Sequence, residues 1–502
     1  MGVVERSLAA IERVGNRLPD PVTLFLILIG IVIVVSVITA MLGVSATHPV
    51  TGAAVPAINL LSAEQVRRLF TEMPQTFADF PPLGTVLVVM LGVGVAEKSG
   101  LVAAALTAFV RRVPRRFLTA AVVFAGVMSS LAVDAGYVVL IPLGALLFYA
   151  AGRHPIAGLA AAFAGVSGGF SSNLVLTSLD PLLAGITQTA AHIVDPSYTV
   201  PVTANYYLMI ALVPVFVIIG ALITDQLIEP RLGTYDGKPD GDVAVDDAPA
   251  DSGRGLKAAG WTLAAFIALV LVLVVPEGAV LRAEDGSLGP FYSSLVALMA
   301  LGFLAIGLAY GIAEKRITSD RDAVQMVSGS MADMGLYIVL AFVAAHFIAM
   351  FNWSNLGVIT AIVGAEGLKA VGFTGLPLVV SFVIIAAFIN LFVGSASAKW
   401  ALMSTIFVPL MMLLGYSPEL TQAAYRIGDS VTNILTPLMP YFPLVIVFGR
   451  RYLPDFGIGT LVATMLPYSV GFGLAGIALL VVWVVFGVPL GPGVELTVTI
   501  GQ

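Results

Sequence analysis

The sequence predicts an all-α polytopic membrane protein: nine transmembrane helices and two re-entrant helical hairpins, arranged as inverted-topology repeats with broken helices. Three observations predict it. Hydrophobic residues make up 59% of the chain and charged residues 11%, against roughly 25% charged in a soluble domain. Apolar runs recur along the whole length, each long enough to cross a hydrocarbon core of about 30 Å as a helix. Two polar stretches inside apolar surroundings, "GFSSNLVLTSLDP" at 169–181 and "GDSVTNILTPLMP" at 428–440, repeat Gly, Ser, Leu, Thr, Leu and Pro at a constant offset of 259 positions.

Composition also excludes functions. The chain has no cysteine, so disulfides, iron–sulfur clusters and thiolate zinc sites are ruled out. A net charge of −6 with no basic face offers nothing for nucleic acid to bind. A β-barrel would need short alternating segments, and the apolar runs here are continuous. No P-loop or His-Glu-x-x-His motif occurs, and no cofactor is expected.

Residues 1–20 place Val4, Leu8, Ile11 and Leu18 on one stripe, as in an amphipathic helix lying on a membrane surface. Spans are expected at 22–44, 82–110, 155–187, 204–227, 257–276, 290–313, 334–363, 418–449 and 457–488. The loop 45–81 contains "SAEQVRRLFTEM", a short surface helix. Two segments, 117–152 and 372–414, fit no single span. As one helix, 117–152 would run about 54 Å, too long for one crossing and too short for two with a turn. "SSLAVDAG" (129–136) interrupts the first and "GSASAKW" (394–400) the second. Arg111, Arg112, Arg115 and Arg116 precede 117–152 and Arg153 follows it, so both its ends belong on the cytoplasmic side. The segment 372–414 lacks such flanks and enters from outside.

The resulting organisation is a first repeat over 21–227, with hairpin 117–152 and broken helix 155–187. A flexible, acidic, Gly- and Pro-rich cytoplasmic linker follows at 228–256 and an extra connecting helix at 257–276. The inverted second repeat covers 277–502, with hairpin 372–414 and broken helix 418–449. The N-terminus is then cytoplasmic and the C-terminus periplasmic; only Arg67, Arg68, Arg282 and Lys369 of the basic residues fall outside. "GFGLAG" (471–476) lies in the last span with no strand before it, and reads as close helix packing rather than a nucleotide loop.

A broken helix exposes free N–H groups at one half-helix start and free C=O groups at the other half's end. Two breaks and two hairpin tips meeting at mid-membrane make a transporter's binding site. The oxygen-bearing residues are Ser130 and Ser397 in equivalent tip positions, with Ser395 beside the latter, then Ser172, Asn173 and Thr177 in the first break and Asn433 and Thr436 in the second. Hard cations such as sodium need such oxygens.

Ionisable groups at membrane depth are costly and usually functional or paired. Asp180, in the first break, reads either as an ion- or proton-coupling site or as a cap for the following half-helix. Arg426 and Asp429 are three apart on one helix, near enough to pair. They form either a structural pair or a clamp in which Arg426 takes a substrate carboxylate or sulfonyl. Ser167 and Phe170 stand at their equivalents in the first copy, so this charge is not part of the repeated scaffold. Trp400, just after the second tip, either stacks on a substrate ring or fills core. Lys399 snorkels or pairs.

On "SSNLVLTSLDP", "GSASAKWALMS" and "YRIGDSVTNILTPLMPY", the chain resembles the p-aminobenzoyl-glutamate transporter (AbgT) family over nearly its whole length. The resemblance implies a homodimer in a bacterial inner membrane, not an enzyme, and a small aromatic substrate with an aminobenzene ring. It implies roles for Asp180, Trp400, Pro418, Arg426 and Asp429, with Asn390 joining them. The expected function is export of sulfonamide-like antimetabolites driven by a proton or sodium gradient, with Na+ at the hairpin tips as the alternative coupling ion. Ion-coupled import of p-aminobenzoyl-glutamate is the rival, and a passive channel the rival of another class.

Overall fold

The computed structural model describes residues 19, 21–47, 52–131, 136–235, 237, 253–439 and 441–499. The expected surface helix over 1–20, Asp134 at the first hairpin tip and residues 238–252 of the linker lie outside the described residues.

Apart from the antiparallel pair Ser45–Thr47 and Ala54–Pro56, the described elements are helical. The first half runs α1 (Pro21–Met41), α2 (Ala63–Ala78), α3 (Pro81–Lys98), α4 (Leu101–Arg112), hairpin arms α5 (Leu118–Met128) and α6 (Ile141–Ala150), broken-helix pieces α7 (Pro155–Phe163) and α8 (Leu179–Ala191), and α9 (Tyr206–Ile223). Helix α10 (Gly253–Val274) connects. The second half repeats the order: α11 (Gly289–Ala313), α12 (Asp320–Asp333), α13 (Gly335–Trp353), α14 (Leu356–Ala370), hairpin arms α15 (Leu376–Asn390) and α16 (Ala396–Leu413), broken-helix pieces α17 (Pro418–Thr432) and α18 (Phe442–Arg450), and α19 (Ile458–Phe486).

Two spans expected as single helices are each broken. The run 82–110 stops at Lys98 and restarts after Gly100, whose φ of +83° is left-handed; the run 334–363 stops at Trp353 and restarts after Asn355, at φ +60°. The same device ends both helices. Ser99 Oγ donates back to the Ala96 carbonyl at 3.1 Å, and Ser354 Oγ to the Phe351 carbonyl at 2.9 Å. A window of about 19 residues averages over the short polar stretches Glu97–Gly100 and Asn352–Asn355, so the apolar signal reads straight through each break. The surface helix of the loop is longer than expected and is capped by Ser62, whose Oγ accepts from the Gln65 N–H at 3.4 Å.

Both hairpins return to their starting level. Arg153 Nη1, just after α6, donates to Thr119 Oγ1 at the start of α5 at 2.7 Å. Lys369 Nζ, before α15, donates to the Leu413 carbonyl at the end of α16 at 3.2 Å. Arg153 also pairs with Asp225 at 2.6 Å and with Glu229, both just beyond α9.

Packing between the halves is reciprocal. Helix α1 lies on α13 and α11 on α3; α2 lies on α13 and α12 on α3; α8 meets α16 and α18 meets α6; α9 and α19 pack on each other. This is the contact pattern of two copies related by an approximate twofold axis. Among the described residues eight helices are long and apolar enough to cross a membrane. The broken helices are not among them, because each consists of two short pieces. Glycines let α19 lie close: a Cβ at Gly476 would stand 2.8 Å from the Ile427 side chain of α17. Helices α7 and α17 are buried along their lengths, so the two broken elements form the centre of the molecule.

Candidate functional site

The first broken helix leaves α7 through a π turn, Ala164–Gly168, and is unwound until Leu179. The second leaves α17 at Thr432 and is unwound until Phe442. Equivalent residues close both breaks in the same way. The Leu179 N–H donates to Thr177 Oγ1 at 3.3 Å, and the Leu438 N–H to Thr436 Oγ1 at 3.3 Å. The two breaks also touch each other: the Ser171 N–H donates to Ser430 Oγ at 3.1 Å, across the 259-residue offset.

An asparagine ties each break to the hairpin of its own half. Asn173 Nδ2 donates to Ser130 Oγ at 2.8 Å. Asn390 Nδ2, at the end of α15, donates to Asn433 Oδ1 at 2.9 Å, to the Asp429 carbonyl at 2.7 Å and to Thr432 Oγ1 at 2.9 Å. Thr436 Oγ1 donates to the Leu391 carbonyl at 3.0 Å and Ser172 Oγ to the Gly169 carbonyl at 2.8 Å. Ser395 caps α16 by accepting from the Ala398 N–H at 3.4 Å, and its Oγ lies 3.4 Å from Ser397 Oγ. These oxygens serve the architecture of the breaks and tips in this state.

The charges pair differently from the expectation. Arg426 does not bond Asp429. Arg426 Nη1 donates to Asp180 Oδ1 at 2.6 Å, joining the second broken helix to the first. Arg426 Nη2 reaches the Ser171 carbonyl at 3.2 Å and Met209 Sδ at 2.9 Å, while its Nε has no partner among the described residues. Asp429 pairs instead with Lys399, which also bonds Asn390, and accepts from Tyr425 Oη at 3.2 Å. Residues three apart on a helix are neighbours, but each side chain here finds an opposite charge on a facing element, and inside a protein that buried pairing outweighs a local surface-type pair. All four groups are almost fully buried.

The equivalent of Arg426 in the first half is Ser167, and that of Asp180 in the second is Met439. These two also meet: Ser167 Oγ lies 3.2 Å from Met439 Sδ. The scaffold therefore makes the same contact twice, once charged and once neutral. Asp180 Oδ2 also accepts from the Thr177 N–H at 2.6 Å and from Thr177 Oγ1 at 3.0 Å, tying the first turn of α8 back to the break.

Trp400 is 0% exposed, and its ring stacks on Tyr425 with centroids 4.4 Å apart. Its Nε1 donates to Thr187 Oγ1 at 2.9 Å, and Thr187 donates to Gln422 Oε1 at 2.6 Å. The face expected to receive a substrate ring is occupied by a tyrosine in this state, because the indole needs a buried partner on both its apolar and its polar side. Pro418 starts α17 behind the Ser417 cap, where its missing N–H is no loss. Lys399, Thr187, Gln422 and Met439 are the residues the sequence reading did not place in the site. An intramembrane charge beside Trp400 is the one available signal, and it points to Lys399.

A cavity of about 360 Å³ opens at the start of α8, against Ser178 and Leu179, and none of Asp180, Arg426, Lys399, Asp429 or Trp400 lines it; its size is within the range of small-molecule sites. Ser130 and Ser397, the equivalent tip residues, line it, together with Phe170 of the first break, Met90 and Glu97 of α3, and Tyr337 of α13. Phe170 is the counterpart of Asp429: the same repeat position supplies a ring to the cavity in the first half and the partner of Lys399 in the second.

Comparison with known proteins gives this geometry a lineage. The family model of the AbgT transporters matches residues 6–498. The p-aminobenzoyl-glutamate transport protein of Escherichia coli (strain K12) is 38% identical over 487 residues, spanning 96% of this chain and 96% of that protein. The crystal structure of the Alcanivorax borkumensis YdaH transporter superposes with a TM-score of 0.91 at 48% identity, covering 94% of this chain and 100% of that one. The structure of Neisseria gonorrhoeae MtrF, described as illuminating a class of antimetabolite efflux pumps, gives 0.92 at 45% identity, covering 97% and 100%. With the family matched from end to end and the fold shared, this chain is a membrane transporter and not an enzyme, and it belongs to the AbgT family.

Proposed function

We propose that the protein is a secondary active transporter that exports small aromatic, sulfonamide-like antimetabolites across the bacterial inner membrane, driven by a proton or sodium gradient. It works as a homodimer with its N-terminus in the cytoplasm and its C-terminus in the periplasm. The two inverted repeats, 21–227 and 277–502, move against each other around the paired breaks. The observation that carries this reading is the buried Arg426–Asp180 bond between the two broken helices, with a cavity lined by both hairpin tips reaching Ser178 and Leu179, the two residues before Asp180.

An anionic substrate group competes with Asp180 for the Arg426 guanidinium, which offers a bidentate fork to carboxylates and sulfonyls. Asp180, once released, is an unpaired carboxylate in a buried site, and taking a proton lowers that cost. Substrate on Arg426 and a proton on Asp180 thus favour each other, which couples the two loads at one site. The Asp429–Lys399 pair offers a second carboxylate, on the helix that carries Arg426. Opening Trp400 away from Tyr425 supplies the stacking face for an aminobenzene ring. Ser130, Ser172, Asn173, Thr177, Ser395, Ser397, Asn433 and Thr436 are the oxygen donors open to sodium when the tips move.

The sequence identity to a protein named for p-aminobenzoyl-glutamate transport favours a second reading, ion-coupled import of that compound. Proteoliposomes containing the protein, tested with a labelled sulfonamide and labelled p-aminobenzoyl-glutamate under separate pH and sodium gradients, decide between them. Gradient-driven, saturable movement of either supports coupled transport and fixes its direction; non-saturating flux that ignores both gradients refutes it in favour of a channel.

A further inference from the structure

Helix α17 carries one more buried acid. Glu419 is 2% exposed, and its carboxylate accepts from Tyr198 Oη at 2.9 Å. Asp180 has Arg426 and Asp429 has Lys399, whereas no cation pairs with Glu419 among the described residues. A buried carboxyl whose partners are neutral, the hydroxyls of Tyr198 and Ser417 and its own backbone N–H, is held at least cost with a proton on it. A salt-bridged aspartate keeps its charge until its partner leaves. Of the three acids buried among the described residues, Glu419 is the one whose surroundings allow it to load a proton while the rest of the site stays closed.

Its position suits that task. Glu419, Gln422, Arg426 and Asp429 fall at i, i+3, i+7 and i+10, on one stripe of α17. The rise along that stripe is about 15 Å. Beyond Gln422, hydrogen bonds run through Thr187 to Trp400, whose ring stacks on Tyr425, and Tyr425 bonds Asp429. Tyr198 lies in the segment between α8 and α9 and is only partly buried, so the phenol that bonds Glu419 belongs to a residue in contact with solvent. Burial and the Glu419 charge push the Tyr198 phenol above its ordinary range, which keeps a proton there to donate. By the distribution of Lys and Arg, this end of α17 faces outward.

The titratable and charged groups around Glu419 are few. The segment that brings Tyr198 also brings His192, bonded to the Tyr198 carbonyl at 2.8 Å, and Asp195, bonded to Ser197. The C-terminal segment that takes the Ser417 N–H on the Leu496 carbonyl carries Glu495, which is exposed. Lys399 of α16 and Asp180 of α8 are engaged with Asp429 and Arg426.

We propose that Glu419 is the residue that carries the coupling proton between the outer face and the site on α17. A hydronium gives a proton to Tyr198 Oη as Tyr198 passes its own to the Glu419 carboxylate. As the site opens, water entering along α17 takes that proton from the loaded acid and passes it to the Asp429 carboxylate once Lys399 withdraws, and Glu419 returns to its starting state. The role rests on the gradient-coupled reading above.

The test uses the full-length protein in proteoliposomes, with labelled p-aminobenzoyl-glutamate and a labelled sulfonamide as probes under an imposed pH gradient. Glu419→Gln is expected to lower gradient-driven movement about tenfold and to flatten the pH profile of the rate, while Glu419→Asp recovers part of both. Tyr198→Phe is expected to shift the pH profile. If the wild type responds to the pH gradient and Glu419→Gln responds equally with the same profile, Glu419 has no such role. A wild type that ignores the pH gradient overturns the coupling reading and this role with it. Should Glu419→Gln fail to reach the membrane, Tyr198→Phe decides, and an unchanged profile there overturns the proposal.

Discussion

Arg426 Nη1 meets Asp180 Oδ1 at 2.6 Å, and the residues at the equivalent positions of the opposite halves, Ser167 and Met439, meet at 3.2 Å. One contact of a symmetric scaffold has been given charge while its twin stayed neutral. Removing one partner of a buried pair strands the other and costs about 3–5 kcal/mol. Asp180→Asn and Arg426→Ser should therefore each lower the thermal midpoint in detergent. The double variant Arg426→Ser with Asp180→Met copies the neutral twin and should recover much of that loss while transport stays abolished. Double-variant stability no better than the singles contradicts the pairing.

Lys399 and Asp429 should behave as a coupled unit. Lys399→Met and Asp429→Asn are each expected to destabilise, and the double variant to lose less than the two effects added. The interaction energy from the cycle should fall at about 0.5–3 kcal/mol. Thermal or denaturant unfolding of the four proteins measures it; strict additivity contradicts the pair.

Trp400 is held by a stack and by one hydrogen bond. Trp400→Phe keeps the stack on Tyr425 and gives up the bond to Thr187, an expected loss of about 1 kcal/mol. Trp400→Ala leaves a cavity and should cost about 3–5 kcal/mol. If the ring also receives substrate during transport, Trp400→Phe should retain substrate binding better than Trp400→Leu in a titration of the purified protein. Equal binding by the two assigns Trp400 to the core alone.

His154 makes stability depend on pH. It caps α7, its Nδ1 accepting from the Ile156 N–H at 3.2 Å. Burial pushes its imidazole below the usual histidine range, against the pull of the Glu229 carboxylate. The folded state thus binds its proton less readily than the unfolded state does. Stability from this group is fully present above the unfolded value of about 6.5 and declines as pH falls through the window below it. His154→Asn keeps a capping oxygen and does not titrate. It should flatten the acid limb of the thermal midpoint between about pH 6.5 and 5; an unchanged limb assigns the dependence to other groups.

Much of this architecture was legible in the sequence, for a reason that particular residues make plain. A helix can be unwound inside a membrane only by residues that restore the lost hydrogen bonds or tolerate their absence, so Ser171, Thr177, Ser430 and Thr436 had to stand out from apolar neighbours. Arg153 could mark the end of a hairpin because guanidinium groups avoid lipid. The pairing of charges was not legible. Asp429 is three residues from Arg426 and visible as a neighbour, while Asp180 is 246 residues away, and only the fold brings it near. The helix breaks at Gly100 and Asn355 were hidden for another reason: hydropathy averages over windows longer than a two-residue turn. Glu419 was passed over because an acid near a helix start reads as an ordinary first-turn carboxylate, and the residues that hold it, Tyr198 and Asn205, are far away in sequence.

The most direct measurement concerns the meeting of the two breaks. The chain has no cysteine, so Ser171→Cys with Ser430→Cys can be introduced without background and oxidised in native membranes. A disulfide should form, stop transport, and release it again on reduction, because the two breaks must part for the site to change face. A pair that does not cross-link, or a cross-linked protein that transports at the reduced rate, contradicts a single site built by the two converging breaks.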